Sequence, residues 1–143
     1  KTFRSDTSLC VSVETPKGEL IIYGTVIGNR GNRNKEFKED LELQILDFKK
    51  LGTDKNLCVL GDFNISFSDS YYTVKESREK LKQTFSSLKM KIETEMLPNN
   101  IDHVVLSNSF ISDRKVNCDF WNDTENKNER LSDHKGVWVE IVD

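Results

Sequence analysis

The sequence predicts an α/β fold built as a layered sheet structure. Three observations predict it. Short apolar runs of strand length recur along the chain, bounded by turn residues. Two longer stretches instead repeat their apolar residues at helical spacing. Some neighbouring strands are joined by tight turns and others by a helix, so hairpin and crossover connections are mixed. At 143 residues the chain is the size of one domain, and no internal boundary, repeat or low-complexity tract divides it. We read residues 1–143 as a single domain.

The elements follow in order. Residues 9–15 (LCVSVET) read as a strand, Pro16-Lys17-Gly18 as a tight reversal and residues 19–28 as the partner strand. Residues 29–34 form a loop. From 35 to 52 Phe37, Leu41, Ile45 and Phe48 draw one apolar helix face, with Asn34 placed to cap its start and Gly52 its end. Residues 56–64 read as a buried strand running into polar residues, and 65–72 as a loop. Thr73-Val74-Lys75-Glu76 has the capping-box pattern and opens a second helix that buries Leu81, Phe85 and Leu88. Strands are expected over 89–97, 101–107 and 114–121, a turn at 98–100 and a polar loop at 122–130. In the closing segment Val137, Val139 and Ile141 alternate as a last strand over 137–142.

Hydrophobic residues make up 36% and charged residues 31% of the chain, the balance of a soluble globular protein. Lys and Arg number 21 against 24 Asp and Glu, a formal charge of −3. That balance argues against a protein that coats nucleic acid by charge alone, but leaves room for a local basic groove. Cys10, Cys58 and Cys118 are odd in number, far apart and set in apolar or alternating runs, so they read as reduced core thiols. No apolar stretch reaches membrane-spanning length and no signal peptide is visible, which gives the expectation of a cytoplasmic protein. The chain begins at Lys1 and runs at once into a strand, so a piece of a longer protein is expected.

Three polar clusters share one design. In LGDFN, Asp62 and Asn64 follow an apolar run; they are two residues apart and point the same way if the strand continues. In NNIDHVV, Asp102 and His103 precede such a run, and in RLSDHKGV, Asp133 and His134 do the same. His103 and His134 are the chain's two histidines, and each follows an aspartate. Polar groups at the ends of buried strands are where layered α/β proteins gather their chemistry. Carboxylate and amide oxygens suit Mg²⁺ and suit zinc poorly. A histidine whose far nitrogen is held by a carboxylate serves as a proton carrier or as a cation facing a phosphoryl oxygen. The set is a kit for metal-assisted attack of water on a phosphate ester. A serine-hydrolase reading is weaker, because neither Ser66 nor Ser132 sits in a nucleophile elbow.

GDFN, IDHVVLS and LSDHKGV, in that order, resemble the C-terminal motifs of the endonuclease/exonuclease/phosphatase superfamily, which implies an α/β (α+β) fold, a layered β-sandwich flanked by helices, of the deoxyribonuclease-like type. The resemblance covers nearly the whole chain. It implies that Asp62 positions or deprotonates the attacking water and that Asn64 holds that water or a phosphate oxygen. It implies that Asp102 orients His134, that His134 contacts the scissile phosphate, and that Asp133 helps bind Mg²⁺, with Mn²⁺ as an alternative metal. His103 receives no catalytic role and Ser132 shapes its turn. The implied substrate is a phosphate ester, with DNA or RNA the first expectation, and Arg30, Arg33 and Lys35 offer phosphate contacts. Two departures stand out. Val26 occupies the place where relatives carry a phosphate-touching His or Tyr, which Tyr23 or Asn29 would have to replace. The superfamily's main metal-binding Glu belongs to an N-terminal half with no counterpart here, so the fold is expected to be incomplete at its N-terminus. A homo-oligomer, or pairing with that N-terminal segment, is the expected association. The alternative is a non-catalytic binding or scaffold module of the same fold.

Overall fold

The computed structural model describes residues 6–28, 34–71, 74–121 and 132–142. Its larger sheet holds β1 (Ser8–Thr15), β2 (Gly18–Val26), β3 (Asn56–Asp62), β4 (Met90–Ile92) and β5 (Asp102–Ser107) in the order β1-β2-β3-β5-β4. β2 and β3 are parallel and the other neighbours antiparallel. The parallel pair is bridged by helix α1 (Lys35–Gly52), the crossover that parallel strands require. A second helix, α2 (Lys75–Ser87), lies between β3 and β4 in the chain. A one-turn helix, α3 (Asn108–Ile111), follows β5, and β6 (Lys115–Trp121) pairs antiparallel with β7 (Gly136–Val142) as a separate two-stranded sheet.

Strand alternation sorts the larger sheet into two cores. Ile21 and Tyr23 of β2, Leu57 and Val59 of β3 and Val105 of β5 face α1 and α2, where they meet Phe37, Leu41, Ile45, Phe48, Leu81 and Phe85. The intervening residues Leu20, Cys58 and Leu106 face the other way, against Phe110 and Ile111 and against Val116, Val139 and Ile141 of the two-stranded sheet. The layers are therefore helices, five-stranded sheet and two-stranded ribbon, the period-two pattern of the strands supplying one face to each. β3 is buried on both sides, which is why its sequence is nearly continuous in apolar residues.

Several local expectations are revised. Asn34 caps α1 as expected, its Oδ1 accepting from Phe37 N at 2.7 Å. Gly52 does not end that helix by a left-handed turn. It is the last helical residue, and Thr53 closes the helix with its hydroxyl on Lys49 O at 2.6 Å. The N-cap of α2 is Val74, with no side-chain cap bond, and Thr73 of the expected capping box lies outside the described residues. The strand expected over 89–97 shrinks to Met90–Ile92, because the chain then folds into turns closed by Glu95 N to Ile92 O and Leu97 N to Thr94 O. The loop at 122–130 lies outside the described residues. No helix among the described residues is long and apolar enough to cross a membrane, and Cys10, Cys58 and Cys118 are unpaired thiols.

Candidate active site

The end of β3 meets the start of β5, with Asp62 and Asp102 as register partners. Asn64 does not reach Asp62 by strand alternation, because β3 stops at Asp62. The chain turns instead. Asn64 takes a left-handed φ of 51°, which asparagine tolerates better than most residues. Its backbone N–H donates to Asp62 Oδ1 at 2.7 Å and its side-chain Nδ2 to Oδ2 at 3.0 Å. The same Nδ2 lies 3.1 Å from Ile27 O and 2.9 Å from Gly28 O. The Asn64 amide nitrogen is thus turned to the protein and grips Asp62.

His134 arrives from the other layer, in the turn that leads into β7. Ser132 shapes that turn, its hydroxyl accepting from His134 N at 3.1 Å. His134 Nδ1 lies 2.8 Å from Asp102 Oδ2. With Nδ1 committed to the carboxylate, Nε2 is the ring nitrogen left to meet a ligand. His134, Asn64, Asp102, Asp133, Lys135 and Tyr71 line a cleft of about 600 Å³. Lys135 sits with its Nζ 4.4 Å from the centre of the Phe120 ring.

The electrostatics follow from this packing. The Asp102 hydrogen bond raises the His134 pKa, aided by the charges of Asp102, Asp62 and Asp133. Burial raises the Asp62 carboxyl, and the nearby Asp102 charge adds to it. A raised carboxyl is a stronger base, and a raised imidazole a more persistent cation. Because its folded pKa lies above its unfolded one, His134 contributes stability that is full below pH 6.5 and is lost as pH rises through the folded value. Asp102→Asn is therefore expected to lower the His134 pKa, read from the pH dependence of its ring carbon protons by NMR. An unchanged titration would show that Asp102 does not set the charge on the ring.

The remaining candidates separate clearly. His103 is buried at 1% exposure, between the rings of Phe63 and Phe67. Its Nε2 donates to Ile65 O at 2.9 Å and its Nδ1 meets the Thr94 hydroxyl at 3.0 Å, so it faces core rather than cleft. Tyr23 cannot supply the phosphate hydrogen bond that the Val26 side chain is unable to make, since it is wholly buried with its hydroxyl on Asp47 Oδ2 at 3.0 Å. Asn29, Arg30 and Arg33 lie outside the described residues, and Lys35 is exposed and pairs with Glu39 at 3.3 Å. Ser66 is buried and donates to Asp69, which removes it as a nucleophile.

Magnesium takes oxygen donors in a near-octahedral shell. Asp62, Asp102 and Asp133 have the right chemistry, yet among the described residues no three His, Cys, Asp or Glu side chains converge to hold a metal ion. Both Asp62 oxygens accept from Asn64 and one Asp102 oxygen is bound to His134.

No protein-family model and no curated protein matches the sequence. Among solved structures, the chain is similar to the crystal structure of an endonuclease/exonuclease/phosphatase from Beutenbergia cavernae DSM 12333. The TM-score is 0.62 and the identity 16%, over 91% of this chain and 37% of that one. At this identity the likeness speaks for the fold. The mixed architecture, with its five-stranded sheet flanked by helices, is that of an endonuclease/exonuclease/phosphatase structure.

Proposed function

We propose that residues 1–143 are the C-terminal portion of a metal-dependent phosphoesterase domain, with nucleic acid as its first expected substrate. The observation that carries this reading is the Asp102–His134 pair, joined at 2.8 Å across two layers and set beside Asp62 at one end of the sheet. A catalytic imidazole needs a group that fixes its tautomer and favours its charged form, and Asp102 does both. In this reading His134 faces the phosphoryl oxygens and stabilises the charge that develops there. Asp62, raised by burial, takes the proton of the attacking water, and Asn64 holds Asp62 in place. Mg²⁺, or Mn²⁺, supplies charge neutralisation when bound; Asp133 is the residue of this chain proposed to reach it, and further donors come from outside the described set. A non-catalytic module is the second reading, favoured by the absence of a three-ligand cluster among the described residues.

The test uses a longer protein that carries this segment, beside the 143-residue chain itself. Each is given Mg²⁺ or Mn²⁺ with plasmid DNA, an abasic-site duplex and a chromogenic phosphodiester, and light scattering gives its mass. The longer protein is expected to hydrolyse at least one substrate and to stop when EDTA is added. The 143-residue chain is expected to show little or no turnover. A longer protein silent on every substrate would favour the module. Robust turnover by the monomeric 143-residue chain would overturn the requirement for outside donors.

A further inference from the structure

Helix α1 carries a stripe of polar side chains where an apolar one is the default. Gln44 is fully buried, Asp47 is 1% exposed, and Asp40 is half-buried beside them. Burying polar groups is costly unless they are bonded, and these are. Thr25 donates its hydroxyl to Gln44 Oε1 at 2.6 Å. Gln44 Nε2 lies 3.2 Å from Val26 O and 3.0 Å from Asp40 Oδ2. Gly28 N donates to the same Asp40 oxygen at 3.0 Å. The end of β2 and the residues after it are thus tied to α1 at Thr25, Val26 and Gly28.

Gly28 is also fixed sterically. Its φ is +67°, and a Cβ built there would lie 2.5 Å from Phe37 Cδ2. Phe37, Asp40 and Gln44 share one face of α1 at spacings of three and four, so one helix surface both crowds Gly28 and holds its amide. The carbonyl of that same residue accepts from Asn64 Nδ2 at 2.9 Å, and Asn64 in turn grips both oxygens of Asp62. A continuous series of hydrogen bonds runs from α1 through one glycine residue to the carboxylate.

We propose that Asp40 and Gln44 are positioning residues for the Asp62–Asn64 pair, acting through the Gly28 backbone. The proposal rests on the reading that Asp62 and Asn64 belong to a hydrolytic site; the hydrogen-bond relay itself does not depend on that reading. The geometry also separates positioning from plain core satisfaction. If the stripe only satisfied buried backbone, its loss would lower stability and leave the Asn64 amide where it is.

The experiment uses ¹⁵N-labelled 143-residue chain, also ¹³C-labelled, and three variants, Asp40→Ala, Asp40→Asn and Leu81→Ala. Leu81 is buried on α2 and its side chain makes no hydrogen bond, so its truncation lowers stability without breaking a bond of the relay. Asp40→Asn keeps an oxygen that can accept from Gly28 and Gln44. Two signals are followed: the side-chain amide of Asn64 and the titration of the Asp62 carboxyl carbon. In Asp40→Ala the Asn64 amide should move toward the position of a free asparagine and the Asp62 titration should shift. Both should return in Asp40→Asn and stay at their native values in Leu81→Ala. In a longer protein with measurable hydrolysis, Asp40→Ala should lower kcat on the order of 10²-fold with little change in KM, as expected for a small misplacement of a reacting group. Asp40→Asn should restore most of it. Native Asn64 and Asp62 signals in Asp40→Ala would overturn the proposal. If no hydrolysis is found in any form, the phosphoesterase reading fails while the NMR arms still decide the relay.

Discussion

Alanine in place of His134 is expected to lower phosphate-ester turnover of a longer protein carrying this segment by two to three orders of magnitude, with a small change in KM. His134 is the one histidine of the chain that lines the cleft, and its Nδ1 is held by Asp102 at 2.8 Å. A cation fixed in this way costs no reorganisation when charge develops on the phosphoryl group, and removing one such stabiliser typically costs about 10²–10³ in rate. Little effect on KM is expected, because the interaction strengthens in the transition state more than in the bound substrate. Steady-state kinetics on the wild type, His134→Ala and His103→Ala decides the matter. Equal losses of turnover in the two variants, at equal stability, would remove His134 from its assigned role.

His103→Ala is expected to cost about 3–4 kcal/mol of folding stability, the range for emptying an aromatic site in a packed core. The ring is packed against Phe63 and Phe67 with centroid distances of 5.5 and 4.6 Å. Its removal opens a cavity of aromatic size and leaves Ile65 O without its donor. The pH dependence is as informative. Burial lowers the His103 pKa to about 4. Between that value and the unfolded value near 6.5 the unfolded chain binds the extra proton, so stability falls as pH drops through the window, by about 3 kcal/mol in full. Urea unfolding at pH 7 and pH 4.5 should show that slope in the wild type and much less of it in His103→Ala. Matching slopes in the two proteins would place the titrating group elsewhere.

The layers are legible in the sequence because its strands alternate cleanly. Ile21 and Tyr23 against Leu20 is visible as a pattern, and the two cores follow from it. Asp102 and His134 can be picked out because each stands at the mouth of an apolar run. Less is legible where a local bond replaces regular geometry. Asp62 and Asn64 meet through a turn with a left-handed residue, which the spacing of a continuing strand misdescribes. The segment after Ile92 turns back although its residues suit a strand, because Thr94 takes up the backbone N–H of Val104 at 3.1 Å. Asp40, Gln44 and Asp47 are hidden for a different reason. An apolar face defined by Phe37, Leu41, Ile45 and Phe48 leaves polar neighbours at the same helical angle looking like its solvent edge. The signal that could have found them is that Gln44 and Asp47 each precede a core residue of that stripe.

Both tryptophans of the chain, Trp121 and Trp138, stand on the ribbon of β6 and β7, at 56% and 40% exposure. The five-stranded sheet carries none. That ribbon also leads directly from the turn holding His134, while Asp62 and Asp102 stay on the larger sheet. Intrinsic indole emission is therefore a local optical gauge of the thin layer, silent about the main core. Its intensity and wavelength are expected to respond to the seating of the ribbon, which also carries the turn whose imidazole meets a carboxylate of the other layer. Assembly of the Asp102–His134 contact can in this way be timed in a stopped-flow cuvette, without substrate, metal or label.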